Sequence, residues 1–206
     1  CVIFMASCEL DNFDGPDSKF HGGILDSETN ELIQQDLIEG SEISYLELGW
    51  DYENPTYLRF HAAGTFRNDL MFAGDYEVQP VRGNFHPVDK EVIKIKGDTE
   101  HFFKSLPYIR IKDTKIVIEG EKAIATFKLE QVGDAKGKPV SSIILCCDMT
   151  FSVGYPISTG GRTEENPNVI TDPNTVYTLE LPLKKDNIKQ NGEYFFRVGA
   201  KIGDID

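Results

Sequence analysis

Trp50, Tyr52 and Tyr57 lie close together in the chain, with Asp51, Glu53 and Asn54 among them. Sugar rings stack their C–H faces on aromatic faces, while carboxylates and amides hydrogen-bond to hydroxyls, so a loop of this composition suits glycan binding. The competing reading is that Trp50, the only tryptophan of the chain, and Tyr57 plug strand ends in a core, where bordering aromatics commonly pack. A second candidate surface is the Gly-rich, polar stretch 155–168, because long loops between strands often carry function.

Catalytic signatures are missing. The chain has no Gly-x-Ser-x-Gly elbow, phosphate loop or His-Glu-x-x-His helix, so it reads as non-enzymatic, with no catalytic residue. His21, His61, His86 and His101 are widely spaced, and Glu164 with Glu165 reads as a solvated pair in a loop. Asp11, Asp14, Gly15 and Asp17 supply oxygens around a turn, yet lack the spacing and closing Glu of a calcium loop. Neither a metal nor a cofactor is expected.

Cys8 carries a different chemistry. The apolar run Val2–Met5 narrows to Ala6 and Ser7 just before it, and acidic, Gly/Pro-containing sequence follows at once, as at the end of a bacterial lipoprotein signal peptide. On that reading residues 1–7 are cleaved, Cys8 is lipidated, and several acyl chains together anchor the protein to a membrane. The alternative is a short buried strand, Val2–Met5. No initiator Met or basic segment precedes Val2, so on the lipoprotein reading the numbering begins within a precursor. Of four cysteines only Cys146 and Cys147 then remain, which is no disulfide framework; strand alternation predicts one thiol in the core and the other nearer solvent.

Charge narrows the partners. The net charge of the 206 residues is -13, and from Glu9 to Leu106 there are 20 acidic against 8 basic residues, compared with 14 against 13 from Pro107 to Asp206. An acidic first half repels phosphate backbones, so nucleic acid is not expected as a partner.

These residues must be positioned by strands. Helical periodicity is almost absent, and short β-branched and aromatic runs recur between Gly, Pro, Asn and Asp, which predicts an all-β fold of two tandem β-sandwich domains. Residues 8–19 read as an acidic flexible tail, 20–106 as the first sandwich and 107–206 as the second, with Pro107 and Tyr108 at the joint. In the first, Gly64 and Gly74 are expected at sharp turns, with Phe66, Leu70, Tyr76 and Val78 in the core. In the second, Ile143–Cys147 is apolar on both faces, hence a central strand, and Tyr194, Phe196, Val198 and Ala200 alternate. A further strand after Ala200 would be needed to complete this sandwich, so the second domain reads as lacking its last strand.

Motifs add resemblances to these readings. The stretch Ala63-Gly64-Thr65-Phe66, Leu70 and Ala73-Gly74-Asp75-Tyr76-Glu77-Val78 resembles transthyretin-like sandwiches, including carboxypeptidase regulatory-like and collagen-adhesin B-type repeats. Tyr194–Ala200 resembles strand F of immunoglobulin/fibronectin III-like domains, where a tyrosine corner closes the preceding loop. Cys8, the tail Asp11-Asn12-Phe13-Asp14-Gly15-Pro16, Met71–Tyr76, Pro80-Val81-Arg82-Gly83-Asn84-Phe85 and Tyr194–Ala200 together resemble the domain-of-unknown-function 3823 family of Bacteroidetes lipoproteins. That likeness implies a non-enzymatic lipoprotein of the outer membrane, surface-exposed or periplasm-facing. It also implies a role accessory to glycan binding or uptake beside an outer-membrane receptor of the starch-utilisation type. Where the chain departs is its end, since the family continues past the equivalent of Ile202. The alternative function is a structural spacer or adhesin-like module that mediates protein–protein contact.

Overall fold

The computed structural model describes residues 14–184, 187–189 and 192–203, so Cys8 and residues 1–13 lie outside the described part. The fold is all-β: two tandem β-sandwiches, transthyretin-like and then immunoglobulin/fibronectin III-like. The first is built from β1 (Ser18–Asp26), β2 (Glu42–Glu47), β3 (Thr56–Arg59), β4 (Thr65–Met71), β5 (Gly74–Val81), β6 (Glu91–Ile95) and β7 (Asp98–Ser105). One sheet has the order β4-β1-β7, with β1 and β7 parallel, and the other the order β3-β2-β5-β6. The period-2 pattern of β5 sends Tyr76, Val78 and Pro80 inward, where they face Phe20, Ile24, Ile43, Phe66 and Phe103. Phe66 lies at the centre of this core, 4.8 Å from the Phe20 ring and edge-on to Phe60 at 5.7 Å.

Strand β1 begins at Ser18, two residues before the expected start of the first sandwich. Ser18 and Lys19 give no apolar signal, but the Lys19 amide donates to the Gly97 carbonyl and the Ser18 hydroxyl accepts from the Gly97 amide, which pins them to the β6–β7 turn. Gly64 does turn with positive φ, +85°, and a Cβ there would stand 2.3 Å from the Ile33 carbonyl oxygen. Gly74 needs no such freedom; it opens β5 with an ordinary φ.

Leu70 corrects the expected core. Ser18 stands opposite Met71 but Phe20 opposite Asn68, so β4 holds one extra residue at this point. Such a bulge reverses which side chains face inward. Met71 is therefore buried and Leu70 points outward, 73% exposed.

The second sandwich comprises β8 (Ile109–Glu119), β9 (Lys122–Gln131), β10 (Val140–Asp148), β11 (Gly161–Glu165), β12 (Val176–Pro182) and β13 (Phe195–Ile202), with a 3-10 turn at Gly133–Ala135. Its sheets have the orders β12-β9-β8 and β11-β10-β13. β10 is central, as its apolar character requires. Ile109 and Ile111 share a face with Ile116 because a bulge between Lys112 and Lys115, with Asp113 at φ +53°, restores the inward parity. The Tyr194 hydroxyl accepts from the Lys189 amide at 2.7 Å, closing the loop that precedes β13. Glu164 and Glu165 belong to β11, not to a loop, and Glu164 accepts from the Ser142 hydroxyl at 2.6 Å.

Both cysteines are buried, which corrects the expectation that one would approach solvent. Cys147 lies inside the second core. Cys146 points from the other face of β10 toward charged groups that include Arg162, Asp36 and Arg197, so the outer face of this strand is covered by the first sandwich and the 149–160 connection. Burial pushes both thiols up to about 11, which keeps them protonated and unreactive near neutrality.

Several polar contacts join the sandwiches. Arg110 of β8 donates to both carboxylate oxygens of Asp26 at 2.6 and 2.9 Å and to Glu28 at 2.6 Å. Arg197 of β13 reaches the Ala62 carbonyl at 3.0 Å, and the Tyr155 amide donates to Asp36 at 2.8 Å. His86 accepts at Nε2 from the Asp134 amide, so its Nδ1 is the donor to the Leu106 carbonyl at 3.0 Å. Gly133 is required beside it, because a Cβ there would come within 2.4 Å of the imidazole.

Candidate functional site

The end of the first sandwich remote from these contacts holds a cleft of about 430 Å³. One wall is the β2–β3 connection, residues 48–55, and the other is the β4–β5 turn. The Leu48 amide donates to the Asp75 carbonyl at 2.8 Å, which fixes the base of the connection to the start of β5. Gly49 then takes φ +97°, and Pro55 restricts the backbone just before β3.

Trp50, Tyr52, Asn54 and Thr56 line the first wall, and Leu70 and Phe72 the second. Trp50 is 70% and Tyr57 53% exposed, so neither is a strand-end plug, and Tyr52 is 60% exposed. Leu70 and Phe72 are also exposed, which places four large apolar side chains in water around one concavity. Exposed apolar groups scattered singly need no explanation, but a contiguous set marks a surface that another molecule covers.

The floor is rigid. Met71 and Tyr76 are each 3% exposed, and the Tyr76 ring tilts against Tyr45 at 6.3 Å. The Tyr76 hydroxyl donates to the Phe72 carbonyl at 3.1 Å, tying the turn down. Burial, and then the neighbouring Glu47 carboxylate, pushes this phenol up to about 12, so it remains a donor across the physiological range. Glu47 and Asn54 are the polar groups best placed to take ligand hydroxyls.

The structure thus brings together only part of the sequence-selected set. Tyr57 is exposed, but it lies on β3 opposite Ser44 and outside the cleft lining; Asp51 and Glu53 are exposed on the connection and also do not line it. Thr56, Glu47, Leu70 and Phe72 were missed. A signal for the last two exists in the run Leu70-Met71-Phe72-Ala73, four apolar residues at a hairpin where polar residues are the rule.

The stretch 155–168 is less open than its composition suggested. Residues 161–165 form β11, the Arg162 guanidinium stacks 4.1 Å over the Tyr155 ring and donates to the Tyr155 carbonyl, and Tyr155 is held by Asp36. A larger concavity, about 560 Å³, lies between the sandwiches near Arg82, Pro87, Tyr108 and Lys201. Its aromatic rings, Phe85 and Tyr108, are buried or half-buried, with Tyr108 packed on His86 at 4.5 Å, so it offers no free face for stacking. Among the described residues no group of three or more His, Cys, Asp or Glu side chains is arranged to hold a metal ion, and no helix is long and apolar enough to cross a membrane.

Residues 18–105 match the family model described as "Protein of unknown function (DUF3823) N-terminal domain", and residues 109–206 match "Domain of unknown function (DUF3823_C)". No curated protein matches the chain. Among solved structures, the chain is similar to a "putative carbohydrate binding protein" from Bacteroides uniformis, at 30% identity over 92% of each chain with a TM-score of 0.81. It shares its fold with DUF3823 family proteins from Parabacteroides merdae (19% identity, 92% of each chain, TM-score 0.77) and Bacteroides uniformis (19% identity, 91% and 90% covered, TM-score 0.77).

Proposed function

Because this chain belongs to the DUF3823 family, we propose that it is a non-enzymatic, surface-attached lipoprotein that binds glycan in the cleft between the β2–β3 connection and the β4–β5 turn. The observation that carries the reading is the exposure of Trp50 and Tyr52 on one wall, with Asn54 and Glu47 beside them. A sugar ring laid on Trp50 covers apolar surface that water otherwise wets, and each stacked aromatic contributes on the order of 1 kcal/mol beyond the area it buries. The "putative carbohydrate binding protein" of Bacteroides uniformis, similar over nearly its whole length, supports the same reading. Calorimetric titration of the chain with soluble polysaccharides tests it: binding that Trp50→Ala leaves intact would remove the cleft from consideration.

In this proposal Cys8 is the lipidated residue, the protein sits at the outer membrane, and it assists a receptor of the starch-utilisation type in glycan uptake. Cys8→Ser should abolish incorporation of labelled fatty acid in cells; labelling that persists refutes the anchor.

The contacts between the sandwiches favour a second reading, a rigid spacer that holds partners apart. Arg110, Arg197, Asp36 and His86 each bridge the two units, and a module built only for binding needs no such fixed angle. A chain that binds no glycan but retains one interdomain orientation in solution scattering would favour the spacer.

A further inference from the structure

We infer that the cleft selects uncharged glycans and rejects acidic ones, such as uronic-acid or sulfated polysaccharides; the inference rests on the glycan reading of the same site. The two segments that wall it, residues 45–56 and 70–76, contain Glu47, Asp51, Glu53 and Asp75 and no basic residue. Asp75 stands opposite Lys94 across β5 and β6, but Glu47, Asp51 and Glu53 form no ion pair among the described residues. Elsewhere on this domain Arg67 pairs with Asp69 at 2.9 Å, Lys90 with Glu77 at 2.6 Å, and Arg59 with Glu42 at 3.3 Å.

The effect of the wall carboxylates is discriminatory. Glu47 lines the cleft directly, near the Tyr76 hydroxyl at the floor. Asp51 and Glu53 alternate with Trp50 and Tyr52 along the connection, exposed and outside the cleft lining. As carboxylates they accept hydrogen bonds from sugar hydroxyls yet offer no donor to a carboxylate or sulfate. An anionic ligand stacked on Trp50 meets the Glu47 carboxylate in the lining and further acids on the connection, with no basic residue in either wall, which lowers its affinity by about tenfold at low salt. Aromatic stacking sets affinity, and the acidic rim sets class.

The test is affinity electrophoresis of the full chain at low ionic strength on dextran, xylan, mannan and galactan, each beside its sulfated derivative, and on polygalacturonate beside its methyl ester. The expected result is retardation by one or more of the uncharged polymers, lost in Trp50→Ala, and at least tenfold weaker retardation by the charged counterpart. The gap should narrow in the Asp51→Asn/Glu53→Gln variant, whose changes lie on the surface, and also as ionic strength rises from about 0.01 to about 0.15 M and shortens the reach of the charges. Equal retardation by both members of a pair, still dependent on Trp50, overturns the selectivity while leaving the glycan site standing. Retardation by none of the polymers overturns the glycan site itself, and the selectivity with it.

Discussion

Arg110 leaves β8 and reaches Asp26 at the end of β1, where its side chain is 13% and that of Asp26 6% exposed. Burial opposes the Asp26 charge, but the Arg110 guanidinium and the Glu28 and Thr29 amides outweigh it and hold the carboxyl below its ordinary range. A carboxyl with a depressed folded-state pKa contributes stability that is complete above its unfolded value and is lost as pH falls through the folded one. Thermal melts of the chain should therefore move to lower temperature below about pH 4, and Asp26→Asn should flatten that part of the curve. Arg110→Ala leaves a buried carboxylate without its cation and should cost about 3 kcal/mol at neutral pH, measured by urea unfolding. An unchanged midpoint in Arg110→Ala would show that the pair does not join the sandwiches. Neither residue announced itself in the sequence, since a partner 84 positions away is set by tertiary placement. Trp50, Tyr52 and Asn54 did, because an aromatic-acid-amide run needs only local composition to be recognised.

At the scale of elements, period-2 alternation made most strands legible, with β5, β9 and β13 the clearest, while β10 showed as a run apolar on both faces. β11 was not, because Gly161-Arg162-Thr163-Glu164-Glu165 has no apolar face and exists as an edge strand through its backbone pairing to β10. The bulge in β4 was equally hidden. It depends on where β1 pairs, not on anything residues 65–71 contain, and it decides which of two neighbouring apolar residues builds the core and which builds the cleft. The consequence is measurable: Met71→Ala should destabilise the chain by about 2–4 kcal/mol, whereas Leu70→Ala should change stability by less than about 0.5 kcal/mol. The reverse order in denaturant unfolding would place the bulge elsewhere. Leu70→Ala should instead weaken ligand binding, since its side chain lines the second wall.

For the whole molecule, β1 sets the polarity. It begins beside Met71 and the cleft and ends beside Ser105 and Arg110, so the cleft and the second sandwich occupy opposite ends of the first. The chain therefore enters at the cleft end. If Cys8 carries the lipid, the nine residues from Glu9 to Asp17 can span at most about 30 Å, and the cleft works within that distance of the membrane while the second sandwich projects away from it. Tandem sandwiches and an acidic first half were readable from composition and spacing; which end the tail enters was not, because it follows from the parallel pairing of β1 with β7. Isothermal titration of the chain and of Trp50→Ala with the polysaccharide that retards it most tests the glycan cleft most directly. The variant should lose at least tenfold in affinity with an unchanged melting temperature, because Trp50 is 70% exposed and contributes little to the fold. Equal affinity in the two proteins would contradict it.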